Sequence, residues 1–223
     1  MDWRNGLNSV IVSALLLSAT NAVADDAGDR TYEVTVTNIT KGEIFTPIMV
    51  ASHAAGVKLF QLGSGASAEL AMLAEGGDTG PLSLALEAGG ALEVVTAADV
   101  LPPGASVTLE VAMNGRNRHV SVAAMLVPTN DGFFAVNGIA GPSGRGSLSV
   151  VSPAYDAGTE DNDELCVSIP GPPFVCAGEG YNPAPGEGYV YIHPGIQGGG
   201  DLIPSAHDWR NPVAKITIRA SRR

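Results

Sequence analysis

Basic residues are scarce in this 223-residue chain: 12 Lys and Arg stand against 23 Asp and Glu, for a formal net charge of -11. Such a chain repels phosphate at long range, which argues against nucleic acid and against bare electrostatic binding to anionic membranes. Aromatics are few, at 5% of residues. There are two cysteines, Cys166 and Cys176, too few for a zinc site without a His pair beside them. No stretch reaches 18 apolar residues, so none reads as a membrane-spanning helix. G-x-S-x-G, H-E-x-x-H and Walker signatures are all missing. The four histidines, His53, His119, His193 and His207, are scattered without metal-ligand spacing. The chain is therefore expected not to be an enzyme. A catalytic constellation assembled in space leaves no local signature, so an exported metal-dependent hydrolase of envelope polymers is the alternative.

What is present is ample apolar material, 45%, with 28 Gly and 15 Pro. That balance suits one core built from many short elements joined by tight turns. Residues 1–24 read as a secretory signal: Arg4, an apolar run over residues 10–17, and a small-residue cleavage site at Ala22-Val23-Ala24. Residues 25–30 read as a flexible N-terminus and residues 31–220 as the domain. A secreted or periplasmic address follows, and in an oxidising compartment Cys166 and Cys176 are expected to pair.

Residues 32–39, 45–51, 92–96, 106–111, 119–127, 148–151, 189–192 and 213–218 read as strands, several alternating cleanly. Pro47 marks an edge or bulge, and residues 59–62 a short extended piece. Ser67 to Glu75 is the clearest helix, stopped by Gly76-Gly77, with a shorter helical piece within residues 81–86. Residues 157–188, rich in Gly, Pro and acid, read as a long loop stapled by the cysteines. Strands with frequent turns and one short helix indicate an all-β fold, an antiparallel β-sandwich.

Two acidic loops carry the chemistry. Asp131 follows the most apolar strand, and an Asp before Gly is commonly a turn former. Further on, Asp156, Glu160, Asp161, Asp163 and Glu164 crowd one short span. Either these acids are solvated or they share a hard cation, which takes six to eight oxygens. An EF-hand is excluded: counting from Asp156, the sixth position is Asp161 rather than Gly and the twelfth is Val167 rather than Glu. Trp209 reads as a core or loop anchor, and His193 as a residue that fixes a loop, or ligates if it lies beside the acids.

The run Met125-Leu126-Val127-Pro128-Thr129-Asn130-Asp131-Gly132-Phe133, followed by Tyr155-Asp156-Ala157-Gly158-Thr159-Glu160, resembles the spondin domain. That domain occurs in F-spondin and mindin and as stand-alone secreted proteins in bacteria. Residues 189–196 and 208–218 are similar to the bacterial branch. The resemblance implies a C2-like sandwich binding one Ca2+ ion through loop carboxylates, which fall here on Asp131, Asp156 and Glu160, with Asp161 as a helper. It also implies a non-catalytic role in binding or adhesion at the cell surface or in the extracellular space. Two positions depart from the animal pattern: Gly132 replaces an aromatic residue, and Glu160 replaces Asp. Contact with membranes would come only through calcium bridging, with Phe133 and Phe134 as exposed loop tips; core packing is the preferred reading of that pair.

Overall fold

The computed structural model describes residues 30–183 and 185–222, with the side chain of Arg222 left aside. The expected signal over residues 1–24 lies outside the described residues. Among the described residues no helix is long and apolar enough to cross a membrane.

Two antiparallel sheets face each other. The smaller has the order β5 (Ser106–Met113), β1 (Arg30–Asn38), β11 (Ala214–Arg222), β8 (Ser147–Ser152). Its strands have one wet face and alternate accordingly: in β1, Tyr32, Val34 and Val36 are buried while Thr35 and Thr37 reach the outer surface. The larger sheet runs β10 (Tyr191–Ile192), β9 (Ala154–Asp156), β7 (Gly132–Ala140), β6 (His119–Val127), β3 (Met49–His53), β4 (Glu93–Thr96), with β2 (Ile44–Phe45) also paired to β6. The expected strand over residues 45–51 is thus split into β2 and β3. Between them the Thr46 hydroxyl accepts from the Met125 amide at 3.1 Å, while the Thr46 amide donates to the Met125 carbonyl at 3.0 Å. The extended piece expected at residues 59–62 forms no strand.

The larger sheet is covered on both sides. Val120, Val122, Ala124 and Leu126 of β6 face the other sheet, while Ala123 joins Leu70, Leu73, Leu82 and Leu86 on two helices, α1 (Ala68–Gly76) and α2 (Gly80–Ala88). Double coverage explains why β6 reads as an unbroken apolar run rather than an alternation. Ser67 caps α1 by accepting from the Leu70 amide at 3.2 Å, and Gly77 closes it in the left-handed conformation. The second helical piece is a full nine-residue helix, longer than the sequence suggested.

Phe133 and Phe134 are both fully buried, one on each side of β7. They are core residues, and the idea of exposed loop tips at these positions is overturned. Trp209, 7% exposed, packs in the core between the sheets as expected. Cys166 and Cys176 form the disulfide, and no helix or strand occurs among the described residues of the loop at 157–188.

Candidate metal site

The two acidic loops meet at one end of the larger sheet. Asp131 closes the β6–β7 turn, and strand pairing sets Gly132 directly opposite Asp156 on β9. Asp156 in turn pairs with Tyr191 on β10. Register alone therefore brings Asp131 and Asp156, far apart in sequence, to the same sheet end.

Asp131 is fully buried. Its Oδ2 accepts from the amides of Thr159 at 2.8 Å and Glu160 at 3.2 Å, and from the Thr159 hydroxyl at 3.3 Å. Among the described residues its Oδ1 has no hydrogen-bond partner. Burial first, and then the neighbouring Asp156 carboxylate, push the Asp131 carboxyl well above the ordinary carboxylate range. Asp156 is also fully buried. Its Oδ1 accepts from the Gly158 amide at 2.8 Å and its Oδ2 from the Asn162 amide group at 2.6 Å. Burial raises this carboxyl too, against the pull of Asn162, Gly158 and Tyr191. Two buried acids held this close, one with a bare oxygen, are costly unless protonated or offset by a cation.

Glu160 is buried beside them, but the acids acting on its carboxyl most strongly are Glu75, Asp163 and Glu179. Burial and these neighbours push it up to about 7. Among the described residues, its Oε2 and the Oε1 of Glu75 both lack hydrogen-bond partners. Asp161 is exposed at the rim. Among the described residues, no group of three or more His, Cys, Asp or Glu side chains stands ready-made to hold a metal ion. The structure thus joins Asp131 with Asp156 and leaves Glu160 facing a second set of acids.

The rest of the acidic span divides its work. Asp163 Oδ1 accepts from the Asn130 side chain at 2.9 Å and the Leu165 amide at 2.9 Å. Glu164 turns away to hold a glycine-rich turn at residues 197–199. The span is neither a solvated run nor a single cluster.

Four contributors escaped the sequence reading. Asn162 bridges Asp156, Tyr191 and Glu187, and Glu187 raises both buried aspartates. Tyr191 is shifted upward by burial and then by Asp156. Glu75 arrives from the last turn of α1. Its position was a readable signal, because a helix C-terminus disfavours negative charge.

His193 lies beside the acids, as one of its readings required. Its Nδ1 accepts from the Gly195 amide at 3.0 Å, leaving Nε2, which has no hydrogen-bond partner, 4.0 Å from Asp156 Oδ2. Burial lowers its pKa to about 4, so the ring is neutral at physiological pH. Gly132 explains one departure from the spondin pattern: a Cβ there would stand 2.7 Å from the Thr129 hydroxyl and 3.1 Å from the His193 ring. The space an aromatic residue would need is filled by Thr129 and His193.

Gly158 is required by the Asp-Ala-Gly-Thr-Glu segment. Its φ is +66°, and a Cβ would fall 2.2 Å from the Tyr189 carbonyl oxygen. Gly158→Ala is expected to destabilise the protein by at least about 2 kcal/mol, from left-handed strain plus the clash. Urea unfolding checks this, and an unchanged midpoint would show that the loop shifts freely.

Comparison with curated proteins finds no match to this sequence. The Spondin_N family model matches residues 35–162, a stretch that includes Asp131, Asp156 and Glu160. With that match over more than half of its length, and with a sandwich of two antiparallel sheets beneath it, this chain belongs to the Spondin_N family.

Proposed function

We propose that this spondin-like module binds calcium at the Asp131–Asp156 end and serves as a non-catalytic binding or adhesion module outside the cytoplasm. The observation that carries the reading is the fully buried Asp131, with its bare Oδ1 beside the buried Asp156. All-oxygen donors suit a hard cation. Asp131 and Asp156 would hold the ion; Glu160, whose carboxylate faces Glu75 and Asp163, would have to turn to supply a third carboxylate, and Asp161 at the rim is the spare. A bound divalent cation supplies positive charge that links the β6–β7 turn to the loop after β9. In support, Asn162 and the Gly158 amide orient Asp156, and the amides of Thr159 and Glu160 orient Asp131.

An extracytoplasmic address is supported by the signal-like residues 1–24, the disulfide and the family. For a hydrolase, His193 beside Asp156 is the favourable feature. The other histidines do not join it: His53 and His119 pair at the far end of β3 and β6, and His207 lies against Glu43. His193 itself is 4% exposed and neutral, which suits positioning better than proton transfer.

Isothermal titration calorimetry of chelator-treated protein tests the site. One calcium per chain is expected, magnesium should bind at least tenfold more weakly, and Asp131→Asn should abolish the signal. Absence of calcium binding in the unmodified protein would sink the assignment.

A further inference from the structure

Five of the chain's 12 basic residues gather at the sandwich end opposite Asp131. Arg116 and Arg118 sit in the β5–β6 turn, Arg145 in the β7–β8 turn, Arg30 at the start of β1, and Arg219 near the end of β11. The nine residues of β6 separate this end from Asp131 by about 30 Å. The molecule is strongly acidic overall yet has a basic pole.

At that pole a groove of about 460 Å³ is lined by Arg30, Arg145 and Arg219, with Met113, Gly144, Ala220 and Ser221. Arg219 is paired with Glu33. Among the described residues, neither Arg30 nor Arg145 has an acidic partner. Of the acids nearby, Glu33 is engaged by Arg219 and Ser221, Glu93 accepts from the Ala112 amide, and exposed Glu110 lies opposite Glu33 in the sheet. Two uncompensated guanidiniums in one groove present planar forks that match sulfate or carboxylate.

The surroundings decide the class of anion. Beside Arg219 the outer face of the smaller sheet carries a row of hydroxyls: Thr108 with Thr35 at 2.8 Å, then Thr217 with Ser149 at 2.9 Å, aligned across four strands. Such a face suits sugar hydroxyls. Among the described residues, the groove and its two turns carry no exposed aromatic or large aliphatic side chain. Base stacking and lipid insertion both need such groups.

We propose that the Arg30–Arg145–Arg219 groove binds an acidic polysaccharide through its sulfate or carboxylate groups. This reading does not depend on calcium at the opposite end.

The test is biolayer interferometry of the mature chain on immobilised heparin, polygalacturonate and neutral dextran, from about 0.05 M to about 0.5 M salt. Heparin and polygalacturonate separate sulfate from carboxylate. Binding to at least one of them, falling steeply with salt and absent on dextran, is expected. Arg30→Gln with Arg145→Gln should weaken it at least tenfold with the melting curve unchanged. Lys41→Gln with Arg210→Gln, the same charge change elsewhere, should leave it within twofold, as should chelator. No binding at low salt would overturn the proposal, and so would equal loss in the control pair. Equal affinity for single-stranded DNA or anionic vesicles would overturn the glycan class. Binding that survives loss of Arg30 and Arg145 but vanishes in chelator would place the ligand at the acidic end instead.

Discussion

Asp131→Asn is expected to make the calcium-free protein more stable at neutral pH, while removing its response to calcium. Both native carboxyls are raised by burial, so the folded state carries an electrostatic penalty there at neutral pH. An Asn at position 131 keeps an oxygen for the Thr159 and Glu160 amides and puts a neutral donor where Oδ1 stood bare. The gain should be about 1–3 kcal/mol, the usual scale for an uncompensated buried polar group. Unmodified protein should instead gain about 2.7 kcal/mol from calcium at a hundred times its dissociation constant, roughly 5–10 °C in melting temperature. The pH dependence has a definite sign. Raised folded pKa values mean that the folded state holds more protons than the unfolded chain, so stability falls as pH rises. For Glu160 the window runs from 4.5 to about 7. In chelator, melting temperature should drop across that window, and saturating calcium should flatten or invert the slope. An Asp131→Asn protein less stable than the parent in chelator would show that this acid is structural rather than poised for a cation.

The legible parts of the fold were those where one physical signal acted alone. Strands β1 and β5 alternate because one face is wet, and α1 is bounded by a Ser cap and a Gly stop. Strand β7 was missed because Phe133 to Val136 are buried on both faces and follow an Asp-Gly turn signal, so no alternation survives. Strand β9 has three residues, too few for any period. At the site, Asp131 and Asp156 were legible through the spondin resemblance. Glu187, Asn162 and Tyr191 were not, because strand register and loop closure deliver them and neither has a local sequence pattern. The acidic span misled for a related reason. Its charges suggested a choice between solvent and one cation, but backbone amides and Asn130 claimed two of them.

Glu164 is the clearest case, and Glu164→Ala is expected to be the most damaging single change in the acidic span. The carboxylate is 3% exposed and accepts from the amides of Gln197, Gly198 at 2.7 Å and Gly199 at 2.8 Å. Its own amide donates to Asn130 Oδ1 at 3.1 Å, and its carbonyl accepts from the Asp201 amide at 2.8 Å. The residue therefore ties the turn at 197–199 to the loop that carries Asp131. The approach is tight enough that a Cβ on Gly200 would fall 2.4 Å from the Asp163 carbonyl oxygen and 2.5 Å from that of Glu164. Hydrogen bonds to a charged acceptor contribute about 1.5–3 kcal/mol each, and rehydration of the freed amides returns part of this. The net loss should be about 3–5 kcal/mol, or roughly 10 °C in melting temperature. Glu164→Gln should cost nearly as much, because its amide group turns a donor toward backbone donors. Glu160→Gln, four residues away, should be neutral or stabilising in chelator, because it removes a charge pushed up to about 7. Thermal unfolding of the three variants side by side separates the roles. Equal losses at positions 160 and 164 would mean that the span acts as one cluster after all. A loss at position 164 alone would establish that its acid is structural, and would leave the Asp131–Asp156 end as the place for a cation.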